Sequence, residues 1–224
     1  DAGGAMTDNA SNTVIGYQAM QTADAGENGC TVVGYQALAQ NNFAGGDENT
    51  MIGNLAGYAL TAGSDNTFIG SETAGSAVNA QNQIVIGKSA VGQANNSVTL
   101  GNASVTAVYM AQDSGATVHC AAVTEGSALR IKKNIKPLEN TLDKITKLRG
   151  IEFDYKETNK HSIGMIAEEV NEVFPELVTK NKDGEVEAMS YSRMTAVLLE
   201  AVKELNQEVK ELKMNNNYNS KEGD

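Results

Sequence analysis

The feature that most constrains this chain is a short motif, an aliphatic residue followed by glycine, that recurs through the first half. Successive glycines lie 18, 19, 17, 17 and 14 residues apart. A repeat of nearly fixed period is typical of a solenoid or a fibre, in which stacked units share one core. The six pairs are Ile15-Gly16, Val33-Gly34, Ile52-Gly53, Ile69-Gly70, Ile86-Gly87 and Leu100-Gly101.

Each repeat has the composition of a short strand, a glycine corner, a stretch of small residues and an Asn/Gly turn. One unit cannot bury its own apolar residues, so we expect the aliphatic row before the glycines to line a continuous core. Small buried residues imply a thin cross-section, and we expect three chains to wind together with strand pairing between chains. The alternative, a disordered Gly/Ala-rich tract, conflicts with the regular aliphatic-glycine register. Small and amide residues recur at Ala19, Ala37, Ala56, Ala90, Asn12, Asn49 and Asn66.

The composition of the chain changes abruptly near residue 126. Residues 1–126 hold 18 of the 22 glycines and one lysine, whereas residues 127–224 hold 16 of the 17 basic residues. The net charge of −11 argues against nucleic-acid binding, which needs clustered cations. No stretch approaches the ~18 apolar residues of a spanning helix, so membrane insertion is not expected.

We therefore predict a mixed fold in three parts. Residues 1–104 form repetitive β-structure, a trimeric β-helix or β-prism-like stalk. Residues 105–126 form a neck with strands at 105–109 and 116–120. Residues 127–224 form a small α+β domain that ends in a long helix. Its predicted elements are a helix at 138–148 entered through Pro137, strands at 151–155 and 163–166, a helix at 167–174, a hairpin turning at 181–184 and a helix at 192–213 with a frayed tail from Asn215.

The two cysteines, Cys30 and Cys120, match no metal-binding spacing. A disulfide between them is possible, but free structural thiols are the favoured interpretation. We predict neither a metal nor a cofactor. A left-handed β-helix acyltransferase is also disfavoured, because its repeat is six residues long and this array offers no catalytic histidine.

The last helix carries a row of apolar residues spaced four and three apart, with valine at heptad position a and leucine at d. Such a row predicts either a seam between chains or the core face of a single helix, and periodicity does not separate the two. Under the simplest rule, valine at a with leucine at d favours two strands. The row consists of Leu198, Val202, Leu205, Val209 and Leu212.

Ser127 and Lys132 lie five residues apart at the composition boundary, which suggests a nucleophile and its base. A lysine can act as a base only if burial or a nearby cation disfavours its charged form. Arg130 and Lys133 are candidate cations. Asn134 and His161 are weak candidates for stabilising an oxyanion.

The second half resembles the C-terminal intramolecular chaperone, or endosialidase-type self-cleaving, domain of phage tail spikes and fibres. The repeats at 10–104 resemble those of phage tail fibres and of trimeric adhesin heads. The chaperone resemblance rests on several ordered motifs at compatible spacing. They are Ser127 with Lys132 and Ile135, Leu148-Arg149-Gly150 before Phe153, Ile163–Val170, Phe174–Val178, Tyr191–Met194 and Leu198–Leu205.

This resemblance implies a homotrimer that folds from its C-terminal domain and then cuts the Gly126–Ser127 bond, with Ser127 as nucleophile and Lys132 as general base. It also implies a mature fibre that binds a host-cell surface receptor, location in the virion and assembly in the host cytoplasm. The family usually has Asp or Asn directly after the serine, where this chain has Ala128. We therefore expect slow or abolished cleavage. The alternative is a trimeric adhesin stalk whose C-terminal domain associates without proteolysis.

Overall fold

The computed structural model describes residues 1–4, 11–23, 26–41, 47–111, 116–156 and 158–219. The chain divides into two compact units, Asp1–Ala122 and Val123–Asp224. Each unit has its own hydrophobic core. The boundary lies a few residues before the composition change at Ser127.

The first unit is a parallel β-solenoid. Each strand pairs in parallel with the next one along the chain, so that every repeat contributes one rung. The register places equivalent residues side by side, with Thr13, Thr31, Thr50 and Thr67 in one row. The solenoid is therefore built by pairing within a single chain, not by the strand pairing between chains that we expected. The strands are β1 Thr13–Ile15, β2 Thr31–Val33, β3 Thr50–Ile52, β4 Thr67–Ile69, β5 Gln83–Ile86 and β6 Ser97–Leu100.

The core of the solenoid is lined by the middle residue of each strand and not by the aliphatic residue before the glycine. Val32, Met51, Phe68 and Val85 are fully buried, whereas the aliphatic row that includes Ile52 points outward. Neighbouring residues of a strand face opposite sides, so only one of the two apolar rows can point inward. The expected assignment of that row to the core was wrong. The alanines three residues after the glycines, Ala19, Ala37, Ala56 and Ala90, are all buried.

Buried amides join successive rungs. The side-chain oxygen of Asn49 accepts the backbone N–H of Asn66 at 3.1 Å, and the oxygen of Asn66 accepts the N–H of Gln83 at 3.0 Å. Cys30 takes the equivalent place in the second rung, and burial raises the pKa of its thiol. Cys30 and Cys120 do not form a disulfide, as favoured from the sequence.

The neck has no strand in this chain. Residues 105–109 and 116–120 are outside every strand, and residues 112–115 lie outside the described part. The expectation of strands there was wrong for the single chain, because no neighbouring strand lies beside these segments to accept their backbone hydrogen bonds. All residues from 116 to 140 are exposed.

The second unit is a small α+β fold. Helix α1 begins after Asn140, later than the predicted start at 138, and α3 extends through Asn219, so the expected fraying from Asn215 was wrong. Strands β7 and β8 pair antiparallel, as do β9 and β10 across the predicted turn. The elements are α1 Thr141–Ile145, β7 Ile151–Asp154, β8 His161–Gly164, α2 Ala167–Val173, β9 Val178–Lys180, β10 Val186–Met189 and α3 Tyr191–Asn219.

The core of this unit joins α2 to the first turns of α3. Val170 and Phe174 pack with Met194 and Val197. The hydroxyl of Tyr191 accepts the backbone N–H of Met165 at 2.9 Å and so connects the start of α3 to the segment after β8. Among the described helices, none is long and apolar enough to cross a membrane.

Candidate functional site

A short 3-10 turn brings Ser127 and Lys132 together. The turn spans Leu129–Ile131, with the N–H of Ile131 donating to the Ala128 carbonyl and that of Lys132 to the Leu129 carbonyl. The backbone thereby reverses within the five residues that separate the pair. Lys132 Nζ lies 2.7 Å from Ser127 Oγ and donates a hydrogen bond to it. The two predicted site residues are therefore in contact.

The chemical use of this pair depends on its surroundings. A neutral amine in the position of Lys132 Nζ could accept the hydroxyl proton of Ser127, whereas a charged ammonium can only donate. Both side chains are exposed in the single chain. The geometry of a nucleophile and base is thus present, and the burial that would favour the neutral amine is not supplied by this chain.

The residues beside the pair are small. A methyl group at Gly126 would lie 3.6 Å from Ile131 Cδ1, an ordinary contact, so the bond before Ser127 is not sterically shielded. Ala128 is extended, with φ −63° and ψ 143°, and contributes only its backbone to the turn. No polar side chain at this position can orient the hydroxyl of Ser127 or the carbonyl before it.

The two weak oxyanion candidates are not brought to the pair. His161 Nδ1 lies 3.1 Å from Asp154 Oδ1, across the β7–β8 ladder. Asn134 adopts a left-handed conformation with φ 53°. Among the described residues, neither side chain hydrogen-bonds Ser127.

Helix α3 has two apolar stripes, of which one is buried and the other is exposed. The inner stripe, formed by Met194, Val197 and Ala201, packs in the core, and each residue is 4% exposed. The residues of the heptad row are instead exposed, so the interpretation of that row as a core face was wrong. Their exposed fractions are 47% for Leu198, 62% for Val202, 47% for Leu205, 38% for Val209 and 63% for Leu212.

Comparison with known proteins identifies this unit. Residues 127–179 match the family described as chaperone of endosialidase, and the match begins at Ser127. These residues of the second unit are similar to a chaperone-of-endosialidase domain. The chaperone domain therefore contains both the Ser127–Lys132 contact and the first elements of the α+β fold.

The chain is also similar to long tail fiber proteins named Gp37. It is 37% identical over 94 residues to that of Enterobacteria phage K3, covering 38% of this chain and 8% of the relative. It is 32% identical over 109 residues to that of Salmonella phage S16, covering 44% and 15%. It is 36% identical over 93 residues to that of Enterobacteria phage M1, covering 38% and 37%. The chain thus matches only a small part of the length of the first two relatives.

Glu204 is a polar contact of the chaperone domain that sequence reasoning missed. Its carboxylate on α3 accepts the backbone N–H of Thr141 at 3.0 Å and of Leu142 at 2.7 Å, at the start of α1. These hydrogen bonds hold the pKa of Glu204 below the ordinary glutamate value. The only sequence signal was a glutamate next to an apolar helix stripe, and nothing local connects it to residues more than sixty positions earlier.

The lowered pKa predicts an acid-dependent loss of stability. A carboxyl whose pKa is lower in the folded state stabilises fully above the unfolded pKa, and this contribution is lost as pH falls through the folded pKa. Glu204→Gln removes this titration. The difference in unfolding free energy between the natural chain and the variant should therefore shrink as pH is lowered from about 6 to about 3.

Urea unfolding at each pH would check this expectation. Glu169→Gln is a positive control, because a hydrogen bond from Arg149 lowers the pKa of Glu169 and its difference should also shrink as pH falls. A difference between the natural chain and Glu204→Gln that stays constant with pH would contradict the assigned role of the carboxylate.

Within the described ranges, no group of three His, Cys, Asp or Glu side chains could hold a metal ion.

Proposed function

We propose that this chain is part of a phage tail fibre whose chaperone domain gathers three copies and then cuts the Gly126–Ser127 bond. The observation that carries the proposal is the 2.7 Å contact of Lys132 Nζ with Ser127 Oγ at the first residue of the family match. The similarity to long tail fiber proteins supports a place in the virion tail. Assembly in the host cytoplasm is a further part of the proposal. Binding of the mature fibre to a host surface receptor is part of the same proposal.

The proposed reaction is a rearrangement followed by hydrolysis. Lys132 as a neutral amine takes the Ser127 hydroxyl proton while Oγ attacks the carbonyl carbon of Gly126. The C–N bond breaks, and the nitrogen leaves as the α-amino group of Ser127 after receiving that proton. Water then hydrolyses the resulting ester, which leaves a carboxylate on Gly126 and restores the Ser127 hydroxyl. No external substrate or cofactor enters the balance.

Association of three copies would supply the environment that this reaction lacks in one chain. Two exposed apolar surfaces are available for burial between copies. One is the heptad row on α3. The other lies on residues 127–140, which we call the arm, and consists of Leu129, Ile131, Ile135 and Leu138. Burial of Lys132 in such an interface would disfavour its charged form and favour the neutral amine. Assembly would thereby precede cleavage.

The role that we propose for the chaperone domain does not include guiding strand pairing between chains, which the sequence had led us to expect. Strand pairing in the solenoid lies within one chain and links neighbouring repeats, so forming these strand ladders does not require a second copy. Holding three C-terminal domains together raises the effective concentration of the solenoids that precede them. Removing the domain afterwards would take away the easy route by which the copies separate, so the assembled product persists kinetically.

The test is cleavage on a denaturing gel with intact mass measurement. We expect the natural chain to cleave slowly or not at all, because Ala128 has no polar side chain. Ala128→Asp should produce fragments 1–126 and 127–224. Adding Ser127→Ala or Lys132→Met to that variant should abolish cleavage, a loss on the order of 10²–10⁴-fold for the base alone.

The control is Ala128→Asp combined with Lys136→Met, which removes an exposed cation outside the turn and leaves the pair intact. An Ala128→Asp chain that assembles and stays whole would contradict self-cleavage. That result would favour the second candidate function, an adhesin-type stalk that associates without proteolysis. The observation favouring this second candidate is the methyl side chain of Ala128 beside an exposed pair.

A further inference from the structure

We infer that Glu204 is a positioning residue for the Ser127–Lys132 pair, acting through the backbone of Thr141 and Leu142. The inference rests on the proposed self-cleavage and goes beyond it by naming a residue outside the turn that controls it. Glu204 belongs to α3, more than sixty residues away along the sequence, and contacts neither Ser127 nor Lys132.

The contact is the first anchor after the reactive pair. Residues 133–140 are all exposed, and Thr141 is the next buried residue, with 1% exposure. The two N–H groups held by Glu204, those of Thr141 and Leu142, begin α1 directly behind this exposed stretch. The arm that carries Ser127 and Lys132 therefore leaves the packed domain at the Glu204 contact.

No local group replaces this contact. Asn140, the residue before α1, has a left-handed conformation with φ 56° and makes no side-chain capping hydrogen bond. A five-residue helix has little stability of its own, so its position depends on tertiary contacts. Without Glu204, two N–H groups at the base of the arm lose their acceptor. Ile145 and Leu148 still pack against the core, so α1 stays in place while its first turn and the arm are less firmly oriented.

The place of Glu204 on α3 links this anchor to the exposed heptad row. Glu204 continues the inner stripe one turn beyond Ala201, and it lies between Val202 and Leu205 of the heptad row along the sequence. Packing of Val202 and Leu205 against another copy would immobilise the helix at this point. The same packing would then hold the base of the arm in one orientation relative to the associated helices.

Glu204 is therefore expected to affect the position of the reacting groups and not only the stability of the domain. A displacement of about 1 Å in a reacting group can lower the rate on the order of 10²-fold. Removing the anchor should therefore slow cleavage under conditions in which the domain stays folded and associated. The Ser127–Lys132 contact itself is local and would survive in the released arm, but the burial of Lys132 between copies depends on where the arm lies relative to the associated helices.

The experiment measures cleavage and hydrogen exchange in the full chain. In the Ala128→Asp background, Glu204→Ala should slow cleavage about 10- to 100-fold. Glu204→Gln keeps one acceptor oxygen but turns an NH2 donor toward the other N–H group, so it should recover only part of the rate. The matched control is Glu208→Ala, one turn further along α3. Sedimentation and thermal unfolding would establish that all variants are associated and folded at the assay temperature, so that a purely structural defect is distinguished.

Hydrogen exchange provides a readout that does not need cleavage. In the associated chain that retains Ala128, amides of residues 127–142 should exchange faster in Glu204→Ala than in Glu208→Ala. Equal exchange in the two variants would overturn the inference, whatever the cleavage result. Equal cleavage rates for Glu204→Ala and Glu208→Ala would also overturn it. Failure of every Ala128→Asp chain to cleave, with the exchange difference present, would instead refute self-cleavage and leave Glu204 as the anchor of the arm.

Discussion

Gly53→Ala is expected to destabilise the solenoid by several kcal/mol, roughly 2–6 kcal/mol in all. Gly53 has φ 140°, a conformation that side-chain-bearing residues rarely adopt. A methyl group there would also lie 2.6 Å from the backbone carbon of Gly70 in the next rung. Backbone strain would cost about 1–3 kcal/mol, and overpacking would cost about 1–3 kcal/mol more. Together these costs are a large share of the unfolding free energy of a typical domain.

Urea unfolding followed by far-UV circular dichroism would measure this loss. The matched control is Gly4→Ala, because its added methyl group would meet no atom closer than 3.8 Å. The control should unfold at the same midpoint as the natural chain. Equal midpoints for Gly53→Ala and Gly4→Ala would mean that the rungs can separate at little cost, contrary to the close glycine contacts.

Val202→Asp together with Leu205→Asp is expected to abolish association of the chains. Both side chains are exposed in the single chain, so the substitutions remove no contact from its own core. In an association seam, each copy would contribute two buried unpaired carboxylates, at a cost of roughly 3–5 kcal/mol for each uncompensated charge. Sedimentation velocity should shift from the trimer to the monomer.

The control for this pair is Gln207→Asp, which adds a carboxylate on the opposite side of α3, at heptad position f. It should remain trimeric. A trimer that persists in the Val202→Asp/Leu205→Asp chain would place the association surface elsewhere. A dimer in the natural chain would contradict the proposed trimer and would agree with the simplest rule for valine at a and leucine at d.

Sequence reasoning predicted the fold well where the pattern had one physical interpretation. The aliphatic-glycine period indicated a solenoid or a fibre, because stacked repeats of nearly fixed length share one core. The helix at 167–174 and the hairpin around 181–184 formed close to their predicted bounds. The contact of Ser127 with Lys132 was also expected, since both residues lie within one short turn.

Predictions were wrong where a residue's partner is distant along the chain. Pro137 suggested an earlier start for α1, but the helix begins where Glu204 accepts its first N–H groups. The neck residues Val105 and Val118 have strand-forming neighbours in sequence but no strand beside them in this chain. Local pattern cannot reveal such partners, because hydrogen-bond acceptors and strand neighbours are supplied by tertiary packing.

By itself, the sequence determined that the rungs repeat and that glycine occupies each corner. It also determined that the Ser127 hydroxyl and the Lys132 amine lie within reach of each other, close to the boundary between the two units. These properties depend on bonded geometry and short spacing. Only the tertiary structure decided that Met51 points inward and Ile52 outward, and that Ala201 packs while Val202 stays exposed. Both members of each pair are apolar, so hydrophobicity alone could not distinguish them, and the choice was made by which face had something to pack against.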